Sequence, residues 1–195
     1  MRKRNRIKGI EVGARCLVQR DNLMLFQYDA KYNYFRFPGG HTEFYESITH
    51  CAIREMREEL GVDAIPKRIL YINENMYMIK NRLRHEIVFY FECSIMGEPI
   101  PLEEKVKVVW ANPNEVLDKF RPRILLERIL EDMREGFPRV YYILTYGNKV
   151  RLVEKLADNR LPVLLYNMPP SEEFMYKDKS EDKGQEGSAY NKSFP

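Results

Sequence analysis

Between residues 37 and 62 the chain passes from a short strand, through a breaker, into one strongly marked helix. Phe35-Arg36-Phe37 is strand-like, and Pro38-Gly39-Gly40 stops it, because proline cannot donate to a sheet ladder and glycine allows close or unusual backbone paths. Ser47 is well placed as an N-cap and Gly61 as a left-handed stop, so the spacing predicts a helix over residues 47–60. Ala52, Ile53, Met56 and Leu60 occupy one arc of that helix and are expected to face a core.

The rest of the chain supplies partners for this unit. Residues 9–19 partly alternate apolar and polar, and Leu23–Tyr28 follows across the turn-prone Arg20-Asp21-Asn22, which predicts a hairpin. Strands are expected at Lys67–Asn73, Glu74–Lys80, Arg84–Ile95 and Val106–Trp110. A helical turn is expected at Pro113–Leu117 and a second helix at Arg123–Glu135, with Ile124, Leu125, Ile129, Leu130 and Met133 as its apolar stripe. Two separated helices among mixed strands point to an α/β or α+β sandwich. Beyond Gly136, residues 139–146 and 149–156 flank Gly147-Asn148, a hairpin signal, and Leu161–Asn167 is a candidate further strand.

The expected organisation is therefore a basic arm at 1–8, a domain at 9–135, a C-terminal strand extension at 136–168 packed on that domain, and a flexible tail at 169–195. At 195 residues the chain is long enough for one full core. With 32 basic and 29 acidic residues, its net charge of +3 is too even to mark a nucleic-acid binder by itself. No apolar run reaches the roughly 18–20 residues needed to cross a bilayer, and none of signal-peptide length follows the basic start. Cys16, Cys51 and Cys93 lack CxxC spacing and sit in apolar or periodic segments, so buried free thiols in a reducing cytoplasm are expected.

Chemistry concentrates on the first helix. At about 100° per residue, Glu55, Glu58 and Glu59 share one face, with Arg54 and Arg57 expected to flank the other side. Like charges at this spacing repel, and a hard cation relieves the repulsion; all-oxygen ligation suits Mg²⁺ or Mn²⁺ rather than Zn²⁺. A carboxylate cluster beside a glycine loop that can offer backbone carbonyls suits phosphate chemistry. A plain solvated Glu- and Arg-rich face is the competing reading.

Spacing decides between the two. Gly40, Glu46, Arg54, Glu55, Met56, Glu58, Glu59, Gly61 and Val62 meet every fixed position of the signature box of the Nudix hydrolases, which the segment Gly40–Val62 resembles. The preceding Phe37-Pro38-Gly39-Gly40 is similar to the strand and loop that family members carry there, and Trp110 with upstream Glu103-Glu104 is similar to a late-strand pattern in the family. The resemblance covers about residues 8–135 and leaves out the 139–167 region.

This resemblance implies a Nudix-type α/β/α sandwich with a mixed sheet, here followed by a C-terminal β-hairpin extension. It implies Mg²⁺ as cofactor, with Mn²⁺ as an alternative, held by Glu55 and Glu59, by Glu58 as ligand or base, and by the carbonyl of Gly40 or Gly39. Arg54 and Glu46 are implied as partners that pin helix to loop. Glu104 is the candidate distal carboxylate, with Glu103 beside it and Glu98 a weaker third. Tyr34 and Arg36 are the candidate nucleotide-binding residues, and Tyr32, Tyr34 and Phe35 offer rings for stacking.

The implied reaction is metal-dependent hydrolysis of a nucleoside diphosphate linked to another moiety, such as a nucleoside triphosphate, ADP-ribose or a dinucleoside polyphosphate. An RNA 5′ end is the alternative substrate, favoured slightly by the basic arm. A non-catalytic nucleotide sensor of this fold is the alternative class, although such members usually carry a broken box. Tyr77 stands where a tyrosine accompanies dinucleoside polyphosphates in the family, but 13 Tyr in 195 residues make that placement uninformative. His50 is expected in solvent, and His41 and His85 are not needed for acid–base chemistry that carboxylates already supply. The 139–156 hairpin suits a homodimer edge, a lid or a partner-binding strand.

Overall fold

The structure is a computed structural model describing residues 9–79, 82–102, 106–146 and 149–155. In chain order it contains β1 (Glu11–Leu17), β2 (Gln19–Arg20), β3 (Leu23–Asp29), β4 (Tyr34–Arg36), α1 (Ile48–Leu60), β5 (Asp63–Ile79) and β6 (Arg82–Met96). These are followed by β7 (Val106–Ala111), α2 (Pro113–Val116), a 3-10 turn (Leu117–Lys119), α3 (Arg123–Met133), β8 (Tyr141–Tyr146) and β9 (Lys149–Lys155).

One sheet has the order β1-β6-β5-β8-β9. It is mixed: β1 runs parallel to β6 and β8 parallel to β5, while β5–β6 and β8–β9 are antiparallel. The second sheet centres on β3, which pairs with β2, β4 and β7. Alternation along β1 and β6 divides the side chains between two cores, because neighbouring residues in a strand point to opposite faces. Ala14, Cys16, Phe91 and Cys93 pack with Cys51, Ala52, Met56 and Leu60 of α1. Leu17, Val88 and Tyr90 pack on the other face with Leu125, Leu126 and Ile129 of α3 and with Met24, Phe26 and Phe37. This is the expected sandwich of helices and a mixed sheet.

The caps of α1 act as the sequence predicts. Ser47 Oγ accepts from the His50 N–H at 3.2 Å, and Gly61 adopts φ 65° with its N–H donating to Arg57 O. All three cysteines are buried and free, the expected state of the thiols. On the far side, the Tyr71 hydroxyl donates to the fully buried Asp132 at 2.6 Å, and Arg128 donates to both oxygens of the same carboxylate. Tyr71 is on β5, so this trio ties α3 to the sheet.

Two expectations change. Residues 67–73 and 74–80, expected as separate strands, belong to one 17-residue strand, β5. It stays continuous because β6 pairs along one edge while β8 pairs along the other from Tyr71 to Met76, and register shifts at Pro66/Arg68 and Ile69/Tyr71 absorb the irregularity. The second long helix ends at Met133 rather than Glu135, and the Phe137 N–H returns to Asp132 O at 3.0 Å. The arm at 1–8, the 161–167 strand and the 169–195 tail lie outside the described residues. No helix among the described residues is long and apolar enough to cross a membrane.

Candidate active site

The loop ahead of α1 runs beside β1. Cys16 N–H donates to Pro38 O and Ala14 N–H to Gly40 O, both at 2.9 Å, and Thr42 N–H donates to Val12 O at 2.8 Å. Two glycines make this course feasible. Gly39 has φ 125°, a conformation that side chains avoid, and a Cβ there would lie 2.2 Å from Ala14 O. A Cβ on Gly40 would lie 2.4 Å from the Glu55 carboxylate, so glycine lets that carboxylate rest directly against the loop backbone.

α1 then presents three carboxylates with different surroundings. Glu59 is buried and accepts from the Gly39 N–H at 2.8 Å, with Arg36 Nη2 at 3.9 Å. Burial pushes its carboxyl above the ordinary value, against the opposing pull of Arg15, the Gly39 N–H and Arg36. The Glu55 side chain is 15% exposed and that of Glu58 61%, so the three descend from solvent into the protein.

Arg54 binds them together. Its Nη1 donates to Glu55 at 2.9 Å and to Glu58 at 3.0 Å. Its Nε and Nη2 hold both oxygens of Glu46 at 2.8 and 2.9 Å, and Nη2 also reaches His41 O at 3.0 Å. Hydrogen bonding from Arg54 lowers the Glu46 carboxyl to about 2. The expectation that Arg54 flanks the face opposite the glutamates is therefore corrected: Glu58 is one helical turn away, within reach of the long side chain. Arg57 does point elsewhere, to Asp63. The pinning of loop to helix by Arg54 and Glu46 is as the sequence suggests.

Of the two carbonyls considered, that of Gly40 accepts from Ala14 N–H and from the Cys51 thiol, whereas that of Gly39 accepts from Arg15. Arg15 Nη1 also donates to Phe37 O at 3.1 Å, so this β1 arginine braces the loop that carries Gly39. Sequence reasoning missed Arg15; its only signal was a cation interrupting an otherwise apolar stretch of β1. Arg36 lies at the site, with Nε donating to Gln27 Oε1 at 3.1 Å. Tyr34 is half-buried on β4, tilted against Tyr32 with ring centres 6.5 Å apart. Glu98 is not brought to the carboxylates and instead pairs with Arg20 at 3.1 Å. Glu103 and Glu104 lie outside the described residues.

A second polar cluster, also missed, begins one residue past Gly40. His41 Nε2 lies 3.6 Å from Glu86 and 3.8 Å from Glu11. Tyr77 donates to Glu86 at 2.6 Å and Arg84 to Glu11 at 2.6 Å. Burial works against the Glu86 charge, but hydrogen bonds from His41 and Tyr77 outweigh it and hold the carboxyl below its usual value. Glu11, His41 and Glu86 offer ligand atoms within 4.8 Å of one another. His50 is exposed, and His85 lies 2.7 Å from Glu74, away from the three helix carboxylates.

The donor chemistry of the α1 face fits a divalent cation. Glu55, Glu58 and Glu59 offer only oxygen, Glu59 is desolvated, and a Cβ on Gly40 would fill the space that the Glu55 carboxylate occupies. A hard cation would offset the charge that burial penalises there.

Comparison with known proteins agrees with this geometry. The family model described as NUDIX domain matches residues 9–132. Among solved structures, the chain is similar to the mutator MutT protein from Bacillus halodurans, with a TM-score of 0.62 and 18% identity over 75% of this chain and 98% of that one. It is similar to the ORF135 protein of E. coli, with a TM-score of 0.52 and 25% identity over 66% of this chain and 94% of that one. It is also similar to the MutT protein from Methanosarcina mazei Go1, with a TM-score of 0.53 and 18% identity over 65% and 97% of the two chains. With a match that spans more than half its length and a complete box on the helix that carries the carboxylates, the chain belongs to the NUDIX domain family.

Proposed function

We propose that this NUDIX hydrolase cleaves the pyrophosphate of a nucleoside diphosphate linked to another moiety, with Mg²⁺ or Mn²⁺ as cofactor. The carrying observation is the graded row of Glu55, Glu58 and Glu59 beside a glycine loop, held by a single arginine. Glu55 and Glu59 would hold the cation, with the carbonyl of Gly39 as backbone donor in preference to that of Gly40, which Ala14 already engages. When bound, the metal neutralises phosphate charge and favours ionisation of a water. Glu58, the most exposed of the three, is suited to accept a proton from the attacking water at its carboxylate. Arg54 and Glu46 position that carboxylate through the bonds already described. Arg36 and Tyr34 are placed to meet the nucleoside end, and Glu104 remains the proposed distal carboxylate. The products would be a nucleoside monophosphate and the phosphorylated remainder.

The test is product release from a nucleotide panel with Mg²⁺, comparing the wild type with Glu58→Gln. The panel includes triphosphates, ADP-ribose, dinucleoside polyphosphates, and triphosphorylated and capped RNA, so that the RNA alternative is tested alongside. Turnover is expected in the wild type, with a loss of about 10²–10⁴-fold in the variant, the usual contribution of a general base. Nucleotide binding by both proteins without turnover of any substrate would support the sensor class instead.

A further inference from the structure

We propose that Phe44 and Tyr45 form a stacking platform for a second planar base, on the leaving-group side of the phosphate chain. The preferred substrates would then carry an aromatic base at each end of the polyphosphate. This rests on the hydrolase reading above.

The two rings are consecutive, and Phe44 is 98% exposed while Tyr45 is completely so. Tyr45 also adopts φ 64°. A bulky residue is a genuine outlier there, and glycine would take the same conformation without strain. The turn thus keeps an aromatic ring in water at a position where neither exposure nor backbone favours one, a pattern that points from local strain to function.

The turn is also firmly held. Glu46 N–H donates to Glu43 O at 3.2 Å, Glu43 N–H donates to Glu46 Oε2 at 3.0 Å, and Arg54 grips both oxygens of Glu46. The same guanidinium holds Glu55 and Glu58, so the rings sit on a turn anchored directly to the carboxylate row. A fixed platform loses little freedom on binding.

A groove of about 400 Å³ connects the two features. Glu46, Arg54 and Glu58 line it from the candidate site, while His50, Ile53 and Arg57 extend it along the outer face of α1. Its volume lies within the range of small-molecule sites, and it leaves the carboxylates on the side of exposed Glu58. Arg36 approaches from the opposite, buried end at Glu59. A phosphate chain lying over the row would therefore have one base near Arg36 and Tyr34 and the other near Phe44 and Tyr45.

The test measures affinity by calorimetry on the full chain, with Ca²⁺ replacing Mg²⁺ to suppress turnover. Diadenosine tetraphosphate and ATP are compared on the wild type and on a Phe44→Ser/Tyr45→Gly double variant, with Phe44→Ser alone as a second variant should the double one melt early. The expected result is a drop of about tenfold in the preference for the dinucleotide over ATP, as loss of one stacked base implies. An equal loss for both nucleotides, or no loss for either, overturns the platform. A wild-type dimer that becomes monomeric in the variant also overturns it, by assigning the rings to a second copy of the chain. Turnover in Mg²⁺ is read separately: its absence in the wild type removes the hydrolase reading while the affinity ratio still judges the platform.

Discussion

At the scale of single residues, the site depends on the missing side chain of Gly40 as much as on any carboxylate. Its backbone φ lies in no region closed to alanine, so a substitution there tests crowding alone. Gly40→Ala places a methyl group 2.4 Å from the Glu55 carboxylate, and that carboxylate must move. Displacements of this size cost on the order of 100-fold in rate. Turnover of Gly40→Ala at saturating Mg²⁺ is expected to fall by about that factor, while Gly9→Ala, with nothing within 4 Å, serves as the control. A second prediction concerns pH. Glu46 ionises near 2 in the folded chain, against an ordinary 4.5, so its contribution to stability is complete above about pH 4.5 and is lost as pH falls through 2. Glu46→Gln is expected to be less stable than the wild type at pH 7, by roughly 1 kcal/mol for a charge-assisted contact near the surface. In paired thermal melts the gap should close between pH 4.5 and 2; a constant gap would mean that the carboxylate charge contributes nothing.

At the scale of elements, the trio joining α3 to β5 should respond sharply to small changes. Tyr71→Phe removes the hydroxyl that donates to buried Asp132 while Arg128 remains, and is expected to cost about 1–3 kcal/mol in denaturant unfolding. Less than about 0.5 kcal/mol would show that Arg128 alone satisfies the carboxylate, since one bond typically contributes more than that. Sequence reasoning foresaw α1 well because its start, stop and apolar arc are local signals: Ser47, Gly61, and the spacing of Ala52, Met56 and Leu60. The β8–β9 hairpin was legible for the same reason, from Gly147-Asn148. What β8 pairs with was not, because its partner residues in β5 are some 70 positions earlier in the chain. The side on which Arg54 works was missed because a helical wheel places Cβ atoms, while a guanidinium reaches a full turn beyond its own. Arg15 was missed because one cation in a strand gives no sign of the loop it will brace.

For the whole molecule, the family match ends at residue 132, but the core does not. Phe137, Tyr141 and Ile143 all contribute to the cluster beneath α3, and Ile143 is completely buried. A chain cut after Arg139 therefore exposes the β5 edge and loses several large side chains, each worth about 1.5–3 kcal/mol when fully buried. Their sum is comparable with the total stability of an ordinary domain, about 5–15 kcal/mol. The shortened chain is expected to lack a cooperative melting transition; one within about 5 °C of the full chain, a shift of roughly 1 kcal/mol for a domain of this size, would show the hairpin to be dispensable. The parallel seating of β8 also bears on how the protein is born. Asn73 donates to the carbonyl of Ile143, 70 residues later, so a ribosome adding about 5–20 residues per second makes β5 several seconds before its neighbour exists. Throughout that interval the nascent sheet carries an open hydrogen-bonding edge, which makes the middle of translation, rather than its end, the stage at which this chain most needs a chaperone.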